Sequence, residues 1–356
     1  MHTVSVSGRI ISVPTIIGGF QMKALIIGGT GVISSAVVSL ALEKGWDITL
    51  LNRGKSTLPS GVKSVVADIH DEAAVKAALA GMKFDVVAQF IAYTKEDIER
   101  DIRIFDGMTR QYIFISSASA YQKPVLDYRI TEGTPLVNPY WQYSRDKADC
   151  EAALMAAHLK NGFPFTSVRP SHTYCERKIP VALHGGNGSW QVVQRIIDGK
   201  PVIIPGDGTT LWTLTYASDF AKGFVGLMGN KHAIANAYHI TSDESMTWNM
   251  IHEEIAKALG KPLNAYHVAS DFLAACGKQY DFSGPLFGDK ANTVTFDNTK
   301  IKRTVPEFNY TVSMSDGIRK AVEYMLAHKE LQVPDPDFDE WCDKVIAAQE
   351  NAKKGF

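Results

Sequence analysis

Short apolar runs rich in β-branched residues recur through the first half of the chain, at Lys23-Ile27, Asp47-Leu51, Ser64-Ala67, Asp85-Phe90, Tyr112-Ile115 and Phe165-Val168. Their near-continuous hydrophobicity is what a strand buried on both faces requires, and such strands belong to parallel sheets covered by helices. Between the first two runs, Val37, Val38, Ala41 and Leu42 repeat at helical spacing, and Gly45 supplies a stop. The pattern predicts an α/β fold of Rossmann type: a doubly wound parallel sheet assembled from βαβ units.

After Pro170 the pattern loosens into loops punctuated by glycine and proline, such as His184-Gly185-Gly186-Asn187-Gly188 and Pro205-Gly206-Asp207-Gly208. Helical periodicity returns near 190–198, 218–228 and 247–259. We expect a nucleotide-binding domain over 22–175, from which later segments also return to the sheet, then a smaller α+β substrate lobe over 176–330. A helical tail over 331–356, read as a solvated surface element, follows. Residues 1–21 read as an N-terminal extension without the basic start, apolar stretch and cleavage site of a signal peptide.

Composition narrows the function classes. The 356 residues carry 37 Lys and Arg against 38 Asp and Glu, a formal net charge of −1, so no whole-chain basic field draws in nucleic acid. No apolar run reaches membrane-spanning length. Cys150, Cys175, Cys276 and Cys342 are widely spaced and form no metal-binding cluster; they read as buried free thiols of a cytoplasmic protein, with no metal.

Directly after the first strand stands Gly28-Gly29-Thr30-Gly31-Val32-Ile33-Ser34. A dinucleotide pyrophosphate reaches backbone N–H groups at a helix N-terminus only where no side chain intervenes, which Gly28 and Gly31 permit; Ser34 keeps the third position small. The second strand ends in Asn52-Arg53, where an acid commonly meets the ribose of NAD. With no acid there, Asn52 is left to bond a ribose and Arg53 to pair with a 2′-phosphate, so NADP is slightly favoured over NAD; the plainer reading of Arg53 is a solvated loop residue. Asp68-Ile69 is placed to hold the adenine, although Asp68 can equally cap the helix that follows.

Tyr143 and Lys147, four residues apart, share one helix face. An ammonium beside a phenol favours the phenolate and makes it a usable general base. The strand Tyr112-Ile115 delivers Ser116 and Ser117 to the sheet edge where open α/β folds bind ligands. Ser117 is thereby placed to hold a substrate hydroxyl while Tyr143 takes its proton, with Ser116 and Ser119 as alternatives. Any Tyr-x-x-x-Lys also arises by chance on surface helices; the order of glycine turn, strand-end serine and Tyr/Lys helix is what gives this one meaning.

At these residues the chain resembles the extended, or atypical, short-chain dehydrogenases, the NAD-dependent epimerases and dehydratases. The resemblance runs from Met22 to His328 and rests on the glycine turn, Asp68-Ile69, Ser116 to Tyr121, Tyr143-x-x-x-Lys147, Val168 to Tyr174, and the segment from Gly206 to Asp219. It implies that Ser117, Tyr143 and Lys147 are catalytic, with Lys147 and Tyr143 also meeting the cofactor. It further implies that Phe90, Ile91 and Ala92 line the cofactor, and that Ser116, Pro170 and His172 border the nicotinamide.

Departures from the family pattern shape the substrate. Ala118-Ser119 replaces the Asp-Glu pair of sugar 4,6-dehydratases, so elimination of water is not expected. The family's diphosphate-gripping arginines are absent from Leu211 to Tyr216 and from Pro285-Leu286-Phe287, which argues against a nucleotide sugar. Trp212 is instead suited to stack on a sugar face, or to pack; His172 and His184 are candidates for its hydroxyls. The short interval from Gln89 to Ser117 leaves room for one helix, Glu96 to Phe105, and not for the family's long dimer helix, so a monomer or an atypical dimer is expected. The resulting expectation is an NAD(P)-dependent oxidoreductase or epimerase of a sugar-like alcohol. A nucleotide-sugar 4-epimerase is one alternative. The other is a non-catalytic dinucleotide-binding platform for RNA or a partner, since the branch most resembled includes chloroplast stem-loop RNA-binding proteins.

Overall fold

The computed structural model describes residues 21–55 and 57–355; the N-terminal extension expected over 1–21 lies outside them except for Gln21. Seven parallel strands form the central sheet: β1 (Lys23–Ile27), β2 (Asp47–Asn52), β3 (Lys63–Val66), β4 (Val86–Gln89), β5 (Tyr112–Ile115), β6 (Phe165–Pro170) and β7 (Asn236–Ile240). Their spatial order is β7-β6-β5-β4-β1-β2-β3. The order reverses beside β1, so the carboxyl ends of β1 and β4 flank the crevice where such sheets take their ligands.

Alternation within β1 shows why the runs are apolar on both sides. Ala24 and Ile26 pack against Val37 and Val38 of α1 (Val32–Glu43) and against Phe220 and Phe224 of a later helix. Leu25 and Ile27 face the opposite layer. That layer contributes Val75 of α2 (Glu72–Ala78), Ile98 and Phe105 of α3 (Lys95–Phe105), and Cys150 and Leu154 of α4 (Gln142–Asn161). The six expected strands are all present. The seventh, β7, escaped because Asn236-Ala237-Tyr238-His239-Ile240 has neither a continuous apolar run nor a clean period; its register against β6, from Asn236↔Thr166 to Ile240↔Pro170, makes it a strand.

A second core belongs to the C-terminal residues. It joins α5 (Trp190–Ile197) and α7 (Trp248–Ala258) to α8 (Met314–Ala327) and α9 (Pro336–Lys353), while α6 (Ala217–Leu227) stays on the sheet. The tail helix α9 is not the solvated element expected. It buries Phe338, Trp341, Cys342 and Val345, a stabilisation of roughly 1.5–3 kcal/mol for each large side chain. Buried Arg195 fixes it through Asp339 (2.6 Å) and Asp343 (2.7 Å). The mixed charge around the i, i+3, i+4, i+7 face hid this. Buried Asp219 ties α6 to the start of α8 by accepting from the backbone N–H groups of Thr311 (2.9 Å) and Val312 (2.8 Å). Three cysteines are buried, whereas Cys276 is exposed, contrary to expectation. No described helix is long and apolar enough to cross a membrane.

Candidate active site

The glycine turn is shaped mainly by packing. Gly28 has φ of +80°, and a Cβ there would lie 2.5 Å from Ile91 Cγ2; at Gly29 it would lie 2.7 Å from Leu50 Cδ2. At Gly31 the nearest atom would be Ser34 Oγ at 3.4 Å, an ordinary contact. Gly31 is therefore the glycine whose bareness serves approach from outside, while Gly28 and Gly29 serve the turn itself. Ser34 does more than stay small: its hydroxyl donates to Gly28 O (2.6 Å) and accepts from Gly31 N–H (2.9 Å). That bond occupies the Gly31 N–H, leaving the N–H groups of the first helical residues, Val32 and Ile33, to face an anion.

A cavity of ≈470 Å³ opens at this turn, lined among others by Thr30, Asn52, Arg53, Asp68, Ile69 and Ile91. The amide of Asn52 is already engaged, accepting from Gly54 N–H (2.7 Å) and donating to Ser64 Oγ (3.1 Å). Asp68 is not the helix cap: Asp71 caps α2 by accepting from Ala74 N–H, while Asp68 accepts from His70 N–H and meets its ring at 2.9 Å. The His70 backbone bond, followed by its side chain, holds the Asp68 carboxyl below its ordinary value. Lys55, His70 and Tyr93 line the same cavity and were not foreseen.

A second cavity, of ≈460 Å³, holds the remaining candidates: Ile33, Phe90, Ser116, Ser117, Tyr143, Lys147, Pro170, His172 and Trp212 all line it. Tyr93 lines both cavities and stands between them. Three expected residues take other places. Ala92 is fully buried and presents its carbonyl to Lys147; the Val32 side chain lines a third pocket, which borders the turn at Thr30 and Gly31 and is closed by Arg177 and Lys178; His184 bonds Gly185 O at 2.8 Å and lines neither cavity.

Ser117 sits just past β5, where Ser116 N–H still pairs with Val168 O at 2.7 Å. The alternatives Ser116 and Ser119 separate by environment. Ser116 Oγ is buried without a partner. Ser119 Oγ accepts from Ser144 Oγ (2.9 Å) and lies 2.9 Å from Ser117 Oγ, whose other neighbour is the Ser119 N–H at 3.2 Å. With Ser144 donating to Ser119, the Ser119 proton passes to Ser117, and the Ser117 proton is left to point at a ligand.

Tyr143 and Lys147 share the first turns of α4, but they do not make an acidic phenol on their own. Lys147 Nζ donates to Ala92 O (2.7 Å) and Ile115 O (2.9 Å) and stands 5.7 Å from the Tyr143 ring centre. Burial, the largest effect, pushes the phenol up to about 12 although Ser117 beside it pulls the other way, and burial pushes the lysine down to about 8. The expected lowering by the ammonium is absent because that ammonium is itself desolvated and spent on two carbonyls. Trp212 is nearly buried, stacked on Trp248 at 5.1 Å, and its Nε1–H donates to His172 Nδ1 at 3.2 Å. Packing is thus its principal role. That bond fixes neutral His172 with its proton on Nε2, in keeping with burial, which holds the ring well below its ordinary value.

Residues 24–241 match the family described as NAD dependent epimerase/dehydratase. The chain belongs to this family. Among curated relatives, 2′-dehydrokanamycin reductase of Streptomyces kanamyceticus is 26% identical over 71% of this chain and 71% of its own length. The chloroplast stem-loop binding protein of 41 kDa b of Arabidopsis thaliana is 26% identical over 68% of this chain and 64% of its own length, so the match spans less than two thirds of that protein. Among solved structures, dTDP-glucose 4,6-dehydratase of Bacillus anthracis in complex with NAD superposes with a TM-score of 0.70 at 18% identity, covering 87% of this chain and 98% of that one. The UDP-glucuronic acid 4-epimerase of Bacillus cereus, with UDP-glucuronic acid and NAD, gives 0.68 at 19%, covering 86% and 99%. These likenesses establish the fold.

The residues of this epimerase/dehydratase chain fit a nicotinamide dinucleotide. The open space at Gly31, the free N–H groups beginning α1, and a buried lysine beside the second cavity are the donor set that such a cofactor needs. Residues unforeseen from sequence also line the second cavity, notably Lys123, Trp141 and Asp289. No motif marks them: Lys123 lies in a loop, Trp141 just before α4 and Asp289 in a short helical turn, and each gains its place only through the fold.

Proposed function

We propose that the protein is an NAD(P)-dependent oxidoreductase or epimerase acting on a secondary alcohol of a sugar-like substrate. One observation carries the reading: Ser117, Tyr143 and Lys147 converge on a single cavity that meets the glycine-turn cavity at Tyr93. A dinucleotide, when bound, supplies the hydride acceptor. Tyr143 Oη takes the carbinol proton, Ser117 Oγ–H holds the carbinol oxygen, and Lys147 supplies the positive charge that must bring the phenol down from about 12. With a dinucleotide bound, Lys147 would be the residue to hold its ribose and to bring positive charge towards the phenol. Ala118-Ser119 after Ser117 supports carbonyl formation without elimination. A ketone released as product makes the protein a dehydrogenase; re-reduction from the opposite face makes it an epimerase.

The likeness to the stem-loop binding protein favours a second reading, in which the fold is an RNA or partner platform. The balanced charge and the buried Lys147 speak for chemistry instead, since a binder has no need to desolvate a lysine. The test is to identify the dinucleotide that copurifies, then follow its reduction at neutral pH against uncharged hexoses and glycosides, hexosamines, hexuronates and nucleotide sugars. Tyr143→Phe should lower turnover on the order of 10³-fold while leaving dinucleotide affinity within about twofold. Undiminished turnover in that variant removes Tyr143 from the mechanism; salt-sensitive RNA binding with no turnover on any substrate brings the platform forward.

A further inference from the structure

Resting on the hydride-transfer reading, a second pair of residues defines what the cavity holds. Lys123 is only 4% exposed yet, among the described residues, its ammonium has no hydrogen-bond or ion-pair partner. Asp289, on the same cavity, likewise has a carboxylate that no described side chain or N–H group satisfies. Neither atom set is sealed in the protein, as buried Ser116 Oγ is. Each feels the other's charge, but they are not in ion-pair contact.

Both are held by one short segment. Lys123 N–H donates to Val137 O at 2.8 Å, and the neighbouring Asn138 side chain donates to Gly288 O and to Ser119 O, each at 2.7 Å. The last bond holds the backbone of Ser119, whose hydroxyl meets that of Ser117, so the segment has a fixed place relative to the reacting centre. The other cations of the cavity are accounted for: Lys147 bonds two carbonyls, Lys290 donates to Ala182 O at 2.6 Å, and Lys178 is exposed. His172 is neutral. What remains unsatisfied is one donor cation and one acceptor anion, of zero net charge.

We propose that Lys123 and Asp289 read two hydroxyls of an uncharged sugar or glycoside, Asp289 accepting from one and Lys123 donating to the other. A buried charge without a partner is costly, and the unpaired state persists where a ligand completes it. An acidic sugar would meet Asp289 and an amino sugar Lys123 with the wrong sign, so the pair also rejects charged rings.

The test is equilibrium binding of uncharged hexoses and glycosides, hexuronates and hexosamines to the dinucleotide-loaded protein, read by tryptophan fluorescence, since Trp141 and Trp212 line the cavity. Wild type should prefer the uncharged members. Asp289→Asn should weaken them at least tenfold and turn the preference to hexuronates; Lys123→Met should weaken them equally and turn it to hexosamines, with KM moving more than kcat where turnover is seen. Should a single variant unfold, the double variant K123M/D289N, which leaves no lone charge, carries the same affinity test. Its melting temperature should equal or exceed that of wild type, whereas a merely structural ion pair would lower it. Affinities within twofold of wild type, a wild type that prefers charged sugars, or no saccharide binding at all overturns the proposal. Sugar binding without hydride transfer defeats the catalytic reading alone, and turnover with unchanged affinities in the variants defeats the pair alone.

Discussion

The two cavities that meet at Tyr93 are built on opposite principles. At the glycine turn the walls are backbone and apolar packing, with Gly28 against Ile91 and Gly29 against Leu50, and the charged residues Arg53, Lys55 and Asp68 stand exposed at the rim. At the catalytic cavity the charged and polar groups are inside: Lys123 and Lys147 are buried, and burial displaces Tyr143, Lys147, His172 and Asp289 from their ordinary values. The first region costs the fold little and offers shape. The second carries a desolvation cost that ligands recover, which is where stability and activity are expected to trade against each other.

Lys147→Met should break the comparison most strongly. Turnover should fall about 10²- to 10⁴-fold, the range for losing a group that sets a general base. Stability should move the other way. The folded-state lysine lies at about 8, below its ordinary 10.5, so its charge opposes folding at every pH below 8, and the penalty fades as pH rises from 8 to 10.5. The variant should therefore gain stability at pH 7, by at most about 3 kcal/mol less what the two lost carbonyl bonds contributed, and lose that advantage by pH 10.5. Denaturant melts at both pH values check this; a variant destabilised at pH 7 would mean that Lys147 is a structural cation like those at the surface.

The glycine turn should respond in the reverse sense, and two of its glycines should differ from each other. Gly28→Ala puts a Cβ at φ +80° and against Ile91, so it should cost about 2–4 kcal/mol of stability, strain and overpacking together. Gly31→Ala meets nothing closer than 3.4 Å and should leave stability within about 0.5 kcal/mol. Its effect should appear only in dinucleotide affinity, weaker by about tenfold or more, near 1.4 kcal/mol. Equal loss of stability in both variants would show that neither glycine is reserved for a ligand.

The same contrast explains what could be read from the chain. The glycine turn, Asn52-Arg53 and the strand runs are contiguous, and their periods and spacings state their structure directly. Ser117, Tyr143 and Lys147 were legible because each sits at a fixed place on a regular element, one past a strand end and two on consecutive turns of a helix. Lys123, in a loop, and Asp289, in a short helical turn, lie 166 positions apart and come near each other where Asn138 bonds the neighbouring Gly288, which no pattern announces. The tail helix differs for a related reason: Phe338, Trp341, Cys342 and Val345 form one apolar face among charged residues, and only its partners, Arg195 more than a hundred positions earlier among them, show that this face is covered. For Trp212 the sequence leaves stacking on a sugar and packing both open, and its stacking on Trp248 favours packing.

The smallest expected effect concerns the rim, where exposure limits what charge can do. Arg53 is exposed beside Asn52, whose amide is tied to Gly54 and Ser64, so the arginine is the better placed of the two to meet a ribose substituent. A charge-assisted bond to a 2′-phosphate is worth about 1.5–3 kcal/mol in a protected site, less in open solvent. Asp68 works against it, because its carboxyl is held anionic by His70 on the same rim. Arg53→Ala should accordingly weaken NADP only about tenfold, and less at high salt, while leaving NAD within about twofold. Equal affinities of the variant and the wild type for both dinucleotides would leave Arg53 a solvated loop residue and place the choice of cofactor with Lys55 or Asp68.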